Sequence, residues 1–346
     1  MKNQNNYIVV TGGGTGGHLS VARSFIYELY DRGFKVIFIG STKGADRSWF
    51  EKEPKIYKSY FLDTYGVVNQ GFIGKIKSLL KIFKATIYSL KILNSYKVKK
   101  VISVGGFSAS PASFASSLAK CDLYIHEQNS IMGRLNQITS KWAKEVFSSY
   151  DKNSKIKDYP IDPKFFKYSR VRDKIETIIF LGGSQGATAI NNFALLVAPI
   201  LEENHIKIIH QTGKNDYKRV KDRYKELNIQ VEIFDFSKDI LSYMDKADFA
   251  VSRSGASTLW ELSALGLPTL YIPYPYAAAN HQYHNAKFLL DDNLCFLKTQ
   301  EQLNSDIILE ILNSDIKSIS ERLINVIKKD GVKKIINHIL NDNKNK

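Results

Sequence analysis

Seven residues near the N-terminus are the first that could do chemistry: Gly12-Gly13-Gly14-Thr15-Gly16-Gly17-His18, directly after the apolar run Tyr7-Ile8-Val9-Val10. A buried strand that stops at glycines and opens a helix leaves main-chain N–H groups at one end of a sheet, a setting for a phosphate or a sugar hydroxyl. The device returns half a chain later, where Ile178-Ile179-Phe180-Leu181 runs into Gly182-Gly183-Ser184-Gln185-Gly186-Ala187. A third turn, Gly105-Gly106-Phe107, follows the strand ending at Val104. It gives the first half more anion-binding main chain than one nucleotide needs; the plainer reading is a tight turn that glycine permits. Ser252-Arg253-Ser254-Gly255-Ala256-Ser257-Thr258-Leu259-Trp260-Glu261 again follows a strand and opens a helix. Glu261 there could accept both hydroxyls of a ribose, or Thr258-x-x-Glu261 could be a capping box serving the helix's own amides. The sequence leaves both open. His126-Glu127-Gln128-Asn129 and Asn280-His281-Gln282 supply imidazoles and amides suited to holding a sugar from several sides.

Gly12, Gly14 and Gly17 also satisfy the dinucleotide pattern G-x-G-x-x-G. The next strand ends Ile37-Phe38-Ile39-Gly40-Ser41, without the acid that would hold a ribose diol, which counts against an NAD enzyme. No Asp-x-Asp pair occurs, so neither a metal nor a cofactor is expected. Leaving-group charge would fall to helix N-termini and main-chain amides.

These turns need sheets to carry them. Strands are expected at 7–10, 35–39, 101–104, 123–125 and 145–147, and helices near 19–32, 75–94, 110–118 and 133–142. Residues 151–170 interrupt the alternation with prolines and lysines. It restarts with strands at 177–181, 207–211, 231–234, 249–252, 269–272 and 294–297, and ends in a lysine-rich helical stretch from about 303 to 342. Such alternation predicts α/β architecture: two Rossmann-like parallel-sheet lobes facing across a cleft, with ligands beyond the carboxyl ends of the strands. The expected division is 1–158, a linker at 159–170, a second domain at 171–325 and a helical tail at 326–346 that packs back on the first domain.

A chain of 346 residues that is 44% hydrophobic supports two folded domains. It carries no apparent secretory signal and no run long enough to span a bilayer. Cys121 and Cys295 match no metal or redox spacing, as expected in a reduced cytosolic setting. The net charge of +15 is uneven: nine lysines and no acid lie between Asp63 and Asp122. Within that stretch Phe72–Lys84 reads as a lysine-edged amphipathic helix. Its Leu79, Leu80, Ile82 and Phe83 need either the sheet or a lipid surface, and its lysines suit anionic headgroups. No nucleic-acid-binding signature accompanies the charge.

The motif set resembles one family, the GT-B glycosyltransferases of the MurG type. The resemblance rests on Gly13–His18, Gly105-Gly106-Phe107, His126–Asn129, Gly182–Ala187 with Asn191, Ser252–Glu261, and His281-Gln282 with Asn285-Ala286, in family order across about residues 7–290. It implies inverting transfer of N-acetylglucosamine from UDP-GlcNAc to the muramoyl C4 hydroxyl of lipid I, giving lipid II. Carried over by position, the donor would meet Thr15, Gly16, Gly17, Asn129, Ser184, Gln185, Gly186, Ser237, Ala256, Ser257, Thr258, Leu259, Trp260, Glu261 and Gln282. The acceptor would meet Gly13, Gly14, His18, Gly105, Gly106, His126, Glu127 and Asn136, with Gly13–Gly17 and Gly105–Gly106 facing its diphosphate. The resemblance further implies a peripheral enzyme on the cytoplasmic face of the inner membrane, docked through the basic stretch, with cell-wall and division proteins as partners. The chain departs from the pattern at Leu19-Ser20-Val21, at Phe107, at Ser110-Pro111, and at Tyr159-Pro160-Ile161-Asp162, where an acid replaces the donor-side arginine.

His18 is the candidate general base for the C4 hydroxyl. The positive end of a helix disfavours imidazolium, so hydrogen bonding to phosphate is the competing role. Rival readings are another GT-B UDP-sugar enzyme (an epimerase or a diacylglycerol glycosyltransferase) and a non-catalytic nucleotide- or membrane-binding scaffold.

Overall fold

The computed structural model describes residues 6–66, 71–183 and 186–342. The chain divides into two compact units, Met1–Asp162 with Lys329–Lys346, and Pro163–Lys328. The first contains β1 (Tyr7–Thr11), α1 (Gly16–Asp31), β2 (Lys35–Ser41), α2 (Asp46–Phe50), β3 (Lys58–Leu62), α3 (Phe72–Ser95), β4 (Lys100–Ser103), α4 (Ser110–Leu118), β5 (Asp122–Glu127), α5 (Arg134–Thr139) and β6 (Glu145–Ser148). The second contains β7 (Thr177–Leu181), α6 (Thr188–Glu203), β8 (Lys207–Gln211), α7 (Tyr217–Glu226), β9 (Glu232–Phe234), α8 (Ile240–Lys246), β10 (Phe249–Ser252), α9 (Ala256–Ala264), β11 (Thr269–Tyr271), α10 (His281–Asp291), β12 (Phe296–Leu297), α11 (Asp306–Leu312) and α12 (Ile316–Leu323).

Each unit holds a six-stranded parallel sheet, ordered β3-β2-β1-β4-β5-β6 and β12-β11-β10-β7-β8-β9. The two orders are the same topology used twice. Strand order reverses between β1 and β4 in one sheet and between β7 and β10 in the other, the places where such sheets receive ligands. All four glycine-containing turns leave from these four strands. Central strands read as unbroken apolar runs because helices cover both faces, and Val9, Val10, Ile37, Ile179 and Val251 are wholly buried. Burying each such side chain is worth about 1.5–3 kcal/mol.

Two elements of the first unit, β3 and α2, were not among the sequence expectations. Strand β3, Lys-Ser-Tyr-Phe-Leu, pairs with β2 at the edge of the sheet among the described residues, and α2 spans 5 residues, too few for a helical period to show. The stretch read as a linker is divided: Tyr159 and Ile161 are buried in the first unit, and a short 3₁₀ turn over Pro163–Tyr168 begins the second. Helix α13 (Gly331–Asn341) returns to the first unit. Arg32 Nη1 donates to Asn337 Oδ1 at 2.6 Å, and Lys334 pairs with Asp158 at 2.7 Å.

Candidate active site

In the first unit the turns after β1 and β4 are built against each other. Gly13 N–H donates to Gly105 O at 3.2 Å. A Cβ on Gly106, whose φ is +77°, would sit 2.3 Å from Gly13 O, and one on Gly12 would sit 2.5 Å from Gly105 O. Any side chain there would push the two main chains apart, so Gly106 serves the first turn's shape, while a Cβ on Gly105 would meet Asn136 Nδ2 at 3.1 Å. Thr15 is the N-cap of α1, yet its hydroxyl makes no cap bond; it lies 2.9 Å from Nδ1 of the half-buried His18. Thr15 and Gly16 are exposed at the helix start.

Behind the loop is a residue the sequence did not flag. Asp46 is wholly buried; its Oδ1 accepts from Gly14 N–H at 2.5 Å and its Oδ2 from Ser41 N–H at 2.8 Å. Burial raises its pKa despite the lowering effect of those two donors. The Gly14 amide is therefore already engaged from inside.

At the end of β5, Glu127 is a hub rather than an exposed ligand. It accepts from Asn129 N–H at 2.9 Å, Gly133 N–H at 3.0 Å and Asn136 Nδ2 at 2.8 Å, fixing the loop that presents Asn129. His126 is 1% exposed, edge-on to Phe25 and Tyr159, and burial lowers its pKa to about 3. Of the residues expected to meet the acceptor, Gly14, His18 and Gly106 are part-exposed, whereas Gly13, Gly105, His126, Glu127 and Asn136 are buried.

In the second unit Ser184 and Gln185 lie outside the described residues. Gly186 and Ala187 lead into α6, where the buried Asn191 donates to Thr212 O at 3.1 Å and Asp216 Oδ2 at 2.8 Å. His210 spans Asn191 Oδ1 at 3.0 Å and Tyr224 OH at 2.9 Å, and Arg219 holds Asp216 below the usual carboxylate range. This network, which braces the turn after β7 against β8, was not read from the sequence. After β10, Arg253 donates to Ile272 O and Pro273 O, both at 2.9 Å, and to Gln300 Oε1 at 2.6 Å. It ties the strand ends together.

The capping-box reading is corrected. Helix α9 begins at Ala256 with Gly255 as its N-cap, so Thr258 and Glu261 stand inside the helix and no acid lies in its first turn. Both are half-exposed on one face, while Ala256, Ser257, Leu259 and Trp260 are buried and Trp260 stacks on Phe288 at 5.2 Å. Gln282 Oε1 accepts from Tyr274 N–H at 2.9 Å, and Ser237 Oγ accepts from Asp239 N–H at 3.0 Å.

Comparison with known proteins decides the family. The glycosyltransferase family 28 N-terminal domain matches residues 8–148 and the C-terminal domain of that family matches residues 177–339. A Wolinella succinogenes protein named UDP-N-acetylglucosamine--N-acetylmuramyl-(pentapeptide) pyrophosphoryl-undecaprenol N-acetylglucosamine transferase is 48% identical over 96% of this chain and 99% of its own length. A Campylobacter fetus protein of the same name is 48% identical over the same shares. This chain belongs to glycosyltransferase family 28. The crystal structure of Acinetobacter baumannii MurG matches with a TM-score of 0.78 at 25% identity, covering 96% of this chain and 99% of that one. A UDP-GlcNAc 2-epimerase from Neisseria meningitidis has a TM-score of 0.64 at 12% identity over 96% of this chain and 99% of its own, a likeness of fold alone.

One surface of this family 28 chain carries an exposed apolar stripe. Helix α3 buries Ser78, Ala85, Thr86, Ser89, Ile92 and Leu93 and leaves Ile73 69%, Leu79 55%, Leu80 57% and Phe83 65% exposed. Leu79, Leu80 and Phe83 therefore do not pack on the sheet, as the plainer sequence reading required. Ile73, Ile76, Leu80, Phe83 and Ile87 recur at helical spacing, with exposed Lys77, Lys84 and Lys91 along one border. No described helix is long and apolar enough to cross a membrane.

Proposed function

We infer that this chain carries the activity its relatives are named for: it transfers N-acetylglucosamine from UDP-GlcNAc to lipid I, giving lipid II for peptidoglycan synthesis. The observation that carries the reading is 48% identity over 96% of the chain. In our reading the C4 hydroxyl of the muramoyl sugar attacks the anomeric carbon with inversion. The hydroxyl proton passes to His18 and UDP leaves with its charge met by main-chain amides. Thr15–Gly17 and Asn129 meet sugar and diphosphate, and Glu261 takes the ribose diol. The test is radiolabelled transfer from UDP-GlcNAc with lipid I in detergent. Label appearing in a lipid II product supports the reading; UDP release with donor alone or with diacylglycerol overturns it.

Glu261→Gln is expected to raise the KM for UDP-GlcNAc about tenfold with kcat little changed, because a charged acceptor to two hydroxyls is lost from ground and transition states alike. Initial rates at varied donor check this.

We further propose that α3 docks the protein on the anionic cytoplasmic face of the inner membrane. The exposed apolar stripe supports this, since contiguous exposed apolar surface marks an interaction site, and lysines near anionic lipid add about 1 kcal/mol each. Phe83→Glu is expected to weaken binding to phosphatidylglycerol vesicles about tenfold, while turnover of a short-chain, water-soluble acceptor is unchanged. Vesicle sedimentation at two salt concentrations measures it. Undiminished binding would remove α3 from that role.

A further inference from the structure

We propose that Asp46 is a positioning residue of the transfer reaction, its carboxylate setting from behind the main-chain surface that the acceptor's diphosphate meets. The proposal rests on the functional reading above. Asp46 lies at the start of α2, 32 residues from Gly14, yet its two oxygens are divided between the turn after β1 and the end of β2: Oδ1 to Gly14 N–H at 2.5 Å, Oδ2 to Ser41 N–H at 2.8 Å. The space around the carboxylate is cut to fit it. A Cβ on Gly13 would lie 2.6 Å from Oδ1, and one on Gly40 would lie 2.8 Å from Oδ2. Gly44, just before it, passes so close that a Cβ there would lie 2.7 Å from Gly14 O.

The carboxylate thus acts as a resident anion on the inner side of a glycine turn whose outer side is read as the anion site. It occupies the Gly14 amide and fixes that peptide plane at φ +87°. Diphosphate is left to the amides farther along, at the N-terminus of α1. An interaction that holds the diphosphate in ground state and transition state alike appears in KM, not kcat. Asp46→Asn keeps the size but offers one acceptor oxygen and one NH₂ to two N–H donors, so one of the two ties is lost.

The experiment is steady-state transfer by Asp46→Asn and, independently, by Gly13→Ala, whose new methyl group would displace the same carboxylate. UDP binding stoichiometry by calorimetry counts folded active sites. The expected result is a KM for lipid I raised about tenfold, with the KM for UDP-GlcNAc within twofold of wild type and stoichiometry unchanged. The double variant is expected to be no worse than the worse single one, because both break one contact. A loss confined to kcat in step with fewer UDP sites marks a merely structural residue and overturns the proposal, as does an unmoved lipid I KM. Should Asp46→Asn fail to fold, Gly13→Ala is read by the same two criteria. A wild-type chain with no transfer overturns the functional reading and this inference with it; an active wild type with unmoved variants overturns this inference alone.

Discussion

His18→Ala is expected to lower kcat for transfer by about 10²–10³ while leaving UDP binding within twofold, the size of effect a positioned general base supplies. His18 sits in the first turn of α1, and its Nδ1 lies 2.9 Å from the Thr15 hydroxyl. That contact couples ring orientation to tautomer: if Thr15 accepts from Nδ1–H, then Nε2 is the nitrogen that can take a proton. The neighbouring His126, with its pKa lowered to about 3 by burial and by the nearby His18, stays neutral at working pH and adds no competing charge. His18→Asn separates the two roles open to this residue. An amide still hydrogen-bonds a phosphate but takes no proton, so a base requires the asparagine variant to fall as far as alanine. Thr15→Val, which keeps the imidazole and removes its partner, is expected to cost a few-fold in kcat. Single-turnover rates at saturating donor measure chemistry apart from product release. An asparagine variant with near-normal turnover and unchanged substrate binding would take His18 out of the base role.

The features legible in the sequence were those written in contiguous residues. Parallel strands covered on both faces show as runs such as Val36–Ile39 and Ile178–Leu181, and glycines that end them show where the sheet is open to ligand. Repetition of that grammar gave two parallel sheets. What was not legible depends on contacts between residues far apart in the chain. Asp46 lies in Lys43-Gly44-Ala45-Asp46, an ordinary surface-like string, and acquires meaning only because β2 and α2 bring it under Gly14. His210 reads as one polar residue in the strand Lys207–Gln211 until Asn191 and Tyr224 close on either side of it. The start of α9 was left undecided for a local reason: Thr258-x-x-Glu261 has capping-box spacing, but Gly255 already ends the extended segment and starts the helix three residues earlier. On α3 the pattern was visible and its orientation was not, since periodicity reports an apolar face and is silent on what covers it.

The second large effect expected is acid destabilisation carried by two buried imidazoles, one in each unit. His126 and His210 both have pKa values lowered to about 3 by burial, against 6.5 for an exposed histidine. The unfolded chain therefore binds protons that the folded chain refuses as pH falls from 6.5 to 3, and stability drops through that window by about 1.4 kcal/mol per pH unit for each group. Asp46 works in the opposite sense above pH 3.8, where its pKa, raised by burial, lets the folded form take a proton first. His126→Phe isolates one imidazole. Its ring neighbours are Phe25 at 6.0 Å and Tyr159 at 5.3 Å, and its Nδ1 is buried without a hydrogen-bond partner, so a phenyl ring suits the site. The variant is expected to keep stability at pH 7 within about 1 kcal/mol of wild type and to flatten the acid limb of the first unit alone. Urea midpoints at pH 7, 6, 5 and 4, with each unit's transition fitted separately, provide the measurement. A wild-type midpoint that stays level from pH 6 to 4, or a variant with the same slope, would sink the assignment. The same variant bears on function: transfer retained at pH 7 would assign His126 to the frame beneath the acceptor turn, and transfer lost from a stable variant would show that the acceptor reaches this imidazole after all.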